Sequence, residues 1–323
     1  MLLRDNALAG AKLSERGAIL VTGGAGFIGA NLLRLFVEHS VQATVLDNLS
    51  AGGSDLLRGL PITLVEGDIR DRSLVNDLVS EHSAIVHLAG QTGVSGSIAA
   101  PERDCQVNVL GTLNLLEAAR RSGVKRFVFA SSNAVLGRQT PPATEEKAPL
   151  PISPYGASKL AAEGYCLAYH GSFGVGTVVL RFANVYGPYS RSKESVVAKF
   201  FKDVLNGQAL TVDGDGQQTR DFIYVSDLCR AVVSALESDV GGEVFQIATG
   251  METTIAALAA LVQNIADRRP AIRYSVARPG DISRNYACTQ KARSVLGWEP
   301  GVTLPQGLLA TWRYFQTSNG DSF

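Results

Sequence analysis

Short aliphatic runs alternate with longer stretches in which apolar residues recur every three or four positions, from residue 18 to about residue 184. "AILVT" (18–22), "ATVLD" (43–47), "ITLVEGD" (62–68), "AIVHLAG" (84–90), "RFVFASS" (126–132) and "VGTVVLRFAN" (175–184) read as six strands. Helical periodicity fills the gaps, in "FIGANLLRLFVEHS" (27–40), "SLVNDLVS" (73–80), "VLGTLNLLEAARRSG" (109–123) and "YGASKLAAEGYCLAYHG" (155–171). Strands that are apolar along their length and separated by helices belong to a parallel sheet covered on both faces. The expected class is α/β, a Rossmann-type doubly wound parallel sheet.

Beyond about Asn184 the pattern loosens. "VYGPYSRSKES", "VDGDGQQTR" and "ARPGDISRN", rich in Gly, Pro and polar residues, separate a few helices and short strands. This predicts a smaller, partly discontinuous C-terminal α/β substrate-binding lobe, closing over the carboxyl ends of the strands. Residues 17–181, with contributions from about 219–250, are assigned to the sheet domain; 182–218 and 251–323 go to the lobe. Residues 1–16 read as a loose N-terminal extension without the apolar run of a signal peptide.

Composition narrows the classes. The 323 residues are 46% apolar, enough for a sizeable core. Thirty basic and thirty acidic residues cancel, so no global field would recruit nucleic acid or an acidic membrane. Cys105, Cys166, Cys229 and Cys288 lie far apart without a C-x-x-C, which offers neither a metal site nor a disulfide framework. A cytoplasmic protein with no membrane span is expected.

"VTGGAGFIG" runs from the first strand into the first helix with glycines at 23, 26 and 29. Gly23 suits a tight turn, Gly26 lets the backbone approach a pyrophosphate, and Gly29 lets the helix pack close to the sheet. Asp47 ends the next strand, 18 residues after Gly29, where a carboxylate accepts both ribose hydroxyls of NAD and repels a 2′-phosphate. Its alternative role is to cap the turn "DNLSAG". Asp68, closing the third strand, is placed to meet adenine through its carboxylate, or is a turn residue.

Tyr155 and Lys159 stand at i and i+4, on one face of a helix. A lysine so placed lowers the phenol pKa, and the tyrosinate takes a proton from a substrate alcohol as hydride leaves the same carbon. Ser131 or Ser132, at the end of the neighbouring strand, is placed to hydrogen-bond that oxygen. The alternative is an amphipathic surface pair.

With these residues in view, the chain resembles the extended short-chain dehydrogenase/reductases, and most closely their nucleotide-sugar epimerase branch. The resemblance runs from about Gly17 to Trp312 through "VTGGAGFIG", "DNLSAG", "GDI", "HLAG", "NVLGTLNLLEAA", "ASSNAVLG", "SPYGASK", "RFANVYGP", "TRDFIYVSD" and "RPGD". It implies tightly held, recycled NAD. Gly23, Gly26, Phe27, Ile28 and Gly29 would surround the pyrophosphate, Asp47 and Asn48 the ribose, and Asp68 and Ile69 the adenine. Leu88, Ala89 and Gly90 would lie along the cofactor, with Asn108 supporting the loop. Ser132, Tyr155 and Lys159 would be catalytic, Lys159 also touching the nicotinamide ribose.

For the nucleotide sugar, Arg220 and Arg278 carry guanidiniums suited to phosphate, and Asn184 adds an amide donor. Ion pairs with the neighbouring Asp221 and Asp281 are the alternative for the two arginines. The resemblance favours phosphate and implies main-chain contacts to the base near Thr211. It also implies a carboxylate pair directly after Ser132 in 4,6-dehydratases and a Glu two residues after it in decarboxylases. Asn133 and Ala134 stand there instead. A UDP-sugar 4-epimerase is expected, with a 4,6-dehydratase, decarboxylase or 4-reductase as the alternative on this fold. A silent NAD-binding regulator is the alternative of another class. Leu136 replaces a common tyrosine near the sugar, and Asn285 marks a position that sets how bulky a sugar substituent is admitted. The helices at 108–122 and 155–171 are expected to pair across a two-fold axis in a homodimer.

Overall fold

The computed structural model describes residues 17–277 and 282–317. The N-terminal extension, Arg278 and Asp281 lie outside the described residues. β1 (Ile19–Thr22), α1 (Phe27–Glu38), β2 (Ala43–Asp47), β3 (Thr63–Glu66), α2 (Arg72–Ser80) and β4 (Ala84–His87) follow in turn. α3 (Val94–Ala99) and α4 (Pro101–Cys105) lead through a π turn, Gln106–Gly111, into α5 (Thr112–Ser122). Next come β5 (Arg126–Ser132), α6 (Pro154–Phe173), β6 (Thr177–Phe182), β7 (Asn184–Tyr186), α7 (Val196–Leu205) and β8 (Leu210–Asp213). β9 (Thr219–Arg220), β10 (Phe222–Tyr224), α8 (Val225–Glu237) and β11 (Glu243–Ile247) follow. The described chain ends with β12 (Thr253–Thr254), α9 (Ile255–Ile265), β13 (Ile272–Ser275), α10 (Gln290–Leu296) and α11 (Leu304–Thr317).

Seven strands form one sheet in the order β11-β6-β5-β4-β1-β2-β3, every neighbouring pair parallel. β1, β4 and β6 are buried along their whole length, as their unbroken apolar runs require. β3, at the edge, is only partly covered. The chain winds outward from β1 through β2 to β3, then returns to lay β4 against the other side of β1. The connections therefore diverge between β1 and β4, and a crevice opens at their carboxyl ends.

Helix boundaries follow local chemistry. α6 starts where the Ser153 hydroxyl accepts from the Gly156 amide and Pro154 occupies the first turn; it stops at Gly174, φ 70°. Asp71 caps α2 in the same way. The helix expected over 109–123 differs: it is entered from α4 through the π turn, and regular α geometry begins only at Thr112. Such turns re-aim side chains within a helix, and this one contains Asn108.

Two cores flank the sheet, α1 and α8 filling one face and α2, α5 and α6 the other. A third, around Phe200, Phe201, Leu258, Trp312 and Phe315, belongs to α7, α9 and α11 beyond the strand ends. Phe201 and Trp312 stack with centroids 5.4 Å apart. Each such side chain contributes about 1.5–3 kcal/mol by burial. Among the described residues no helix is long and apolar enough to cross a membrane.

Candidate active site

The crevice begins at Gly23, whose φ of 72° is strained for any side chain. A Cβ there would stand 2.5 Å from the Ala89 amide nitrogen, so β1 and the segment after β4 touch through this glycine. A Cβ on Gly29 would meet the Gly24 Cα at 2.5 Å, which sets how closely α1 lies on the loop. Gly26 differs: a Cβ would meet only the Gly23 carbonyl, at 3.3 Å. Gly26 is the N-cap of α1, with no side-chain cap and no acidic residue in the first turn. Its leading amides and positive dipole end fit a pyrophosphate.

Asp47 holds this loop. One carboxylate oxygen accepts from the Ala25 amide at 2.9 Å and the other from the Leu49 amide at 2.8 Å. Each oxygen keeps a second lone pair, so cap and ribose ligand are compatible roles for one carboxylate. Asp68 is more fully engaged. Arg70 donates its backbone amide, Nε and Nη2 to it, and Asn48 donates Nδ2 at 3.0 Å. Those four bonds match the acceptor capacity of the carboxylate, and the Arg70 contacts hold its pKa far below the usual range. Asp68 acts in this structure as a clamp between Asn48 and Arg70. Ile69, buried, packs against Gly111, where a Cβ would stand 2.5 Å from its Cδ1.

Leu88, Ala89 and Gly90 leave β4 tied to β1: the Leu88 amide donates to the Thr22 carbonyl and the Ala89 amide to the Thr22 hydroxyl. A Cβ on Gly90 would lie 2.8 Å from Asn108 Oδ1 and 3.3 Å from Lys159 Nζ. Asn108 Oδ1 accepts from the Gln91 amide at 2.8 Å, so the π turn supports this loop. Beneath it lies a directional chain through His87. Thr112 donates to the Asn108 carbonyl, so His87 Nε2 donates to Thr112, His87 Nδ1 accepts from Thr22, and Thr22 accepts from Ala89. The chain assigns His87 the Nε2–H tautomer. Burial, with Lys159 nearby, pushes its pKa down to about 3.

At the end of β5 the two serines separate. The Ser131 hydroxyl donates to Glu163, which is locked in a buried bidentate pair with Arg181. The Ser132 hydroxyl instead accepts from the Ala134 amide at 3.2 Å and lines the same cavity as Tyr155. Lys159, 4% exposed, donates to the Ala130 carbonyl at 2.9 Å and lies over the Phe129 ring. Burial lowers its pKa to about 8, opposed by Asp104, Cys166 and Glu163. Burial also raises the Tyr155 phenol, with the neighbouring Ser132 opposing it. The pair thus sits where added positive charge would favour the phenolate.

A cavity of about 270 Å³ opens beside Tyr155. Ser132, Phe27, Ile28, Asn184, Lys193 and Phe222 are among its walls. Asn184 Nδ2 donates to the Asp221 carbonyl at 3.3 Å. Thr211, Arg220 and Asn285 are not in these walls. They stand elsewhere: Thr211 on β8 opposite Arg273 of β13, and Arg220 Nη1 donating to the Ile282 carbonyl, three residues before Asn285. Asp221 is held by the Thr249 and Gly250 amides. Arg278 lies outside the described residues. Leu136 corrects the expectation of a sugar-pocket wall: it is 2% exposed and packs with Val135, Ala143, Ala248 and Ala287, because the turn after Ser132 points it inward. Sequence reading also passed over Lys193, His87, Glu163 and Asp104. The signals were faint: a histidine inside an apolar strand, and carboxylates four residues from Lys159 and Asn108. Among the described residues no cluster of His, Cys, Asp and Glu could hold a metal ion.

Comparison with known proteins adds the family. A model described as the NAD dependent epimerase/dehydratase family matches residues 19–248. A dTDP-glucose 4,6-dehydratase of Streptomyces niveus is 38% identical over 312 residues, 92% of each chain. A UDP-glucose 4-epimerase of Mycolicibacterium smegmatis is 36% identical over 311 residues, 93% of this chain and 99% of that one. The crystal structure of UDP-glucose 4-epimerase from Thermotoga maritima with UDP-glucose superposes with a TM-score of 0.88 at 38% identity, covering 94% of this chain and 99% of that one.

Proposed function

Because the chain belongs to the NAD-dependent epimerase/dehydratase family, we propose that it interconverts the C4 epimers of a nucleotide sugar, a UDP-sugar in the first instance. One observation carries this choice within the family. Among the described residues the cavity beside Tyr155 has no carboxylate in its walls, and Asn133 and Ala134 directly follow Ser132. A 4,6-dehydratase must take a proton from C5 and protonate the departing C6 hydroxyl, which calls for an acid and a base at that place.

NAD, when bound, supplies the hydride acceptor and then the hydride donor at C4. Gly23, Gly26, Phe27, Ile28 and Gly29 would hold its pyrophosphate, Asp47 and Asn48 its adenosine ribose. Ile69 would pack along the adenine, and Asp68 would act through Asn48. Leu88, Ala89 and Gly90, backed by Asn108, would line its path to Tyr155. Tyr155 accepts the O4 proton as the sugar is oxidised and returns it afterwards. Lys159 stabilises the phenolate by charge, and Ser132 hydrogen-bonds to the same oxygen. Epimerisation needs the 4-keto sugar to turn between the two events. Walls such as Phe27, Ile28 and Phe222 support that turn, since they offer few directional contacts. Asn184, Arg220 and Arg278 would meet the diphosphate together with Lys193, leaving Thr211 for the base and Asn285 for the sugar substituent.

The assembly proposed is a homodimer through α4–α5 and α6. The exposed Ala157, Ala161, Gly164 and Ala168 form a strip of small residues along α6, and Tyr165, Leu167 and Leu110 stand exposed on these helices. Such a face allows two helices to approach closely. Light scattering at micromolar concentration checks it, and a monomer would refute it.

The activity is tested by incubating the purified protein with UDP-glucose, UDP-galactose and their N-acetylamino and uronate forms, without added NAD. Interconversion of C4 epimers without net NADH is expected. Release of a 4-keto-6-deoxy sugar would replace this reading with the dehydratase, and bound NAD without turnover would replace it with a silent binder.

A further inference from the structure

Asp104 is a charged residue in a place that the proposed chemistry does not yet use. It is 2% exposed on α4, which packs against α6. Its Oδ1 accepts from Asn108 Nδ2 at 3.1 Å, and its Oδ2, also buried, has no hydrogen-bond partner among the described residues. Burying a carboxylate so is costly unless its charge serves something nearby.

The surrounding bonds lead towards the Tyr155–Lys159 pair. Asn108 Nδ2 faces three acceptors with two hydrogens: Asp104 Oδ1, the Ser158 hydroxyl at 3.1 Å and the Gln91 carbonyl at 3.2 Å. The carboxylate is the strongest of the three, so it decides which end of the amide faces α4. Asn108 Oδ1 is thereby left to accept from the Gln91 amide, and Ser158 to donate to the Tyr155 carbonyl at 3.1 Å. One point in space, the Cβ that Gly90 lacks, is 2.8 Å from Asn108 Oδ1 and 3.3 Å from Lys159 Nζ. The amide that Asp104 orients is therefore a near neighbour of the lysine.

We propose that Asp104 is a positioning residue for the proton-transfer pair: it orients Asn108 under the cofactor loop and stands as a fixed negative charge behind Tyr155 and Lys159. The inference rests on reading Tyr155 and Lys159 as that pair. The charge does two opposed things. It favours the lysine cation, offsetting burial, and it disfavours the phenolate. The other groups facing this region are accounted for. Glu163 is neutralised by Arg181, the Cys166 thiol is pushed up by burial and stays protonated, His87 is neutral, and Glu102 and Arg103 of α4 are exposed. α3 contributes no titratable side chain.

Asp104→Asn keeps the shape and an acceptor for Asn108 and removes the charge. In the holoenzyme both limbs of the pH profile for C4 epimerisation are expected to move towards acid by about one unit, because loss of the negative charge favours the phenolate and disfavours the ammonium. Ultraviolet difference titration of tyrosinate, with Tyr155→Phe as the blank, reads the same shift without turnover. Asp104→Glu should restore the wild-type midpoints in part. A lower kcat with unmoved limbs and an unmoved tyrosinate midpoint would overturn the proposal, since lost packing alone does not move them. Asp104→Ser, smaller and equally uncharged, gives the same reading if the amide variant does not fold. Should Tyr155→Phe retain activity, the parent reading fails; should it be inactive while Asp104→Asn titrates as wild type, only the role of Asp104 falls.

Discussion

The two sides of the crevice are built on opposite principles. On the cofactor side three polar side chains are already answered by protein: Asp47 by two amides, Asp68 by four donors, His87 by two threonines. On the substrate side the cavity holds Lys193, whose amine has no hydrogen-bond or ionic partner among the described residues, within largely apolar walls. A ligand that stays in place is met by a pre-organised surface. A ligand that must turn over is better met by a few charges at one end and little elsewhere.

Tyr155→Phe cuts the seam between the two sides and carries the largest expected effect. Removing the proposed proton acceptor should lower kcat by about 10³-fold, within the range of general acid–base catalysis. Bound NAD, read by absorbance after denaturation, should be unchanged. Loss of the nucleotide as well would show that the sides are not separable.

Gly23→Ala attacks the pre-organised side alone. The new Cβ would meet the Ala89 amide at 2.5 Å with φ at 72°. A clash with backbone on top of left-handed strain costs about 3 kcal/mol. Retained nucleotide and melting temperature should both fall; a variant that keeps its full complement of NAD would mean that the loop is more pliant than its contacts imply.

His87 sharpens the same contrast through pH. Its folded pKa of about 3 lies below the ordinary 6.5, so the unfolded chain takes up a proton below pH 6.5 that the folded chain refuses. Stability from this group is present above 6.5 and is lost as pH falls towards 3. The loss is about 2–3 kcal/mol by pH 4.5. Thermal melts between pH 7 and 4.5 should show this slope, and His87→Asn should flatten it although it lowers the starting stability. An unchanged slope would locate the acid sensitivity elsewhere.

This contrast also governs what could be read from the letters. The six strands and the glycine loop were legible because burial on both sheet faces leaves unbroken aliphatic runs, and because the turn at Gly23 tolerates no other residue. Asp68 was read as an adenine contact or a turn residue, and what the letters did not show is the partner two residues away, Arg70, which takes three of its four acceptor positions. Leu136 was placed by analogy at the sugar, whereas the short turn beginning at Asn133 directs it among alanines from three distant segments. The π turn at 106–111 leaves no periodic trace, yet it aims Asn108. Arg220 and Asn285 depend on tertiary pairing between β9 and the 282–285 segment, which no local pattern encodes.

The smallest expected effect belongs to Lys193, and it bears most directly on the open side. Lys193 lines the cavity with Tyr155 and Asn184, and burial lowers its pKa. A cation that gives up hydration without a protein partner is poised to gain one from an anionic ligand. If that ligand is the diphosphate, which stays put while the sugar turns, the interaction is the same in ground and transition states. Lys193→Ala should then raise KM about tenfold and leave kcat nearly unchanged, the signature of uniform binding. If Lys193 instead meets an acidic group on the turning sugar, the loss appears in kcat and only for uronate substrates. Steady-state kinetics on a neutral and an acidic UDP-sugar separate the two, and equal, unchanged constants for both would remove Lys193 from the substrate side altogether.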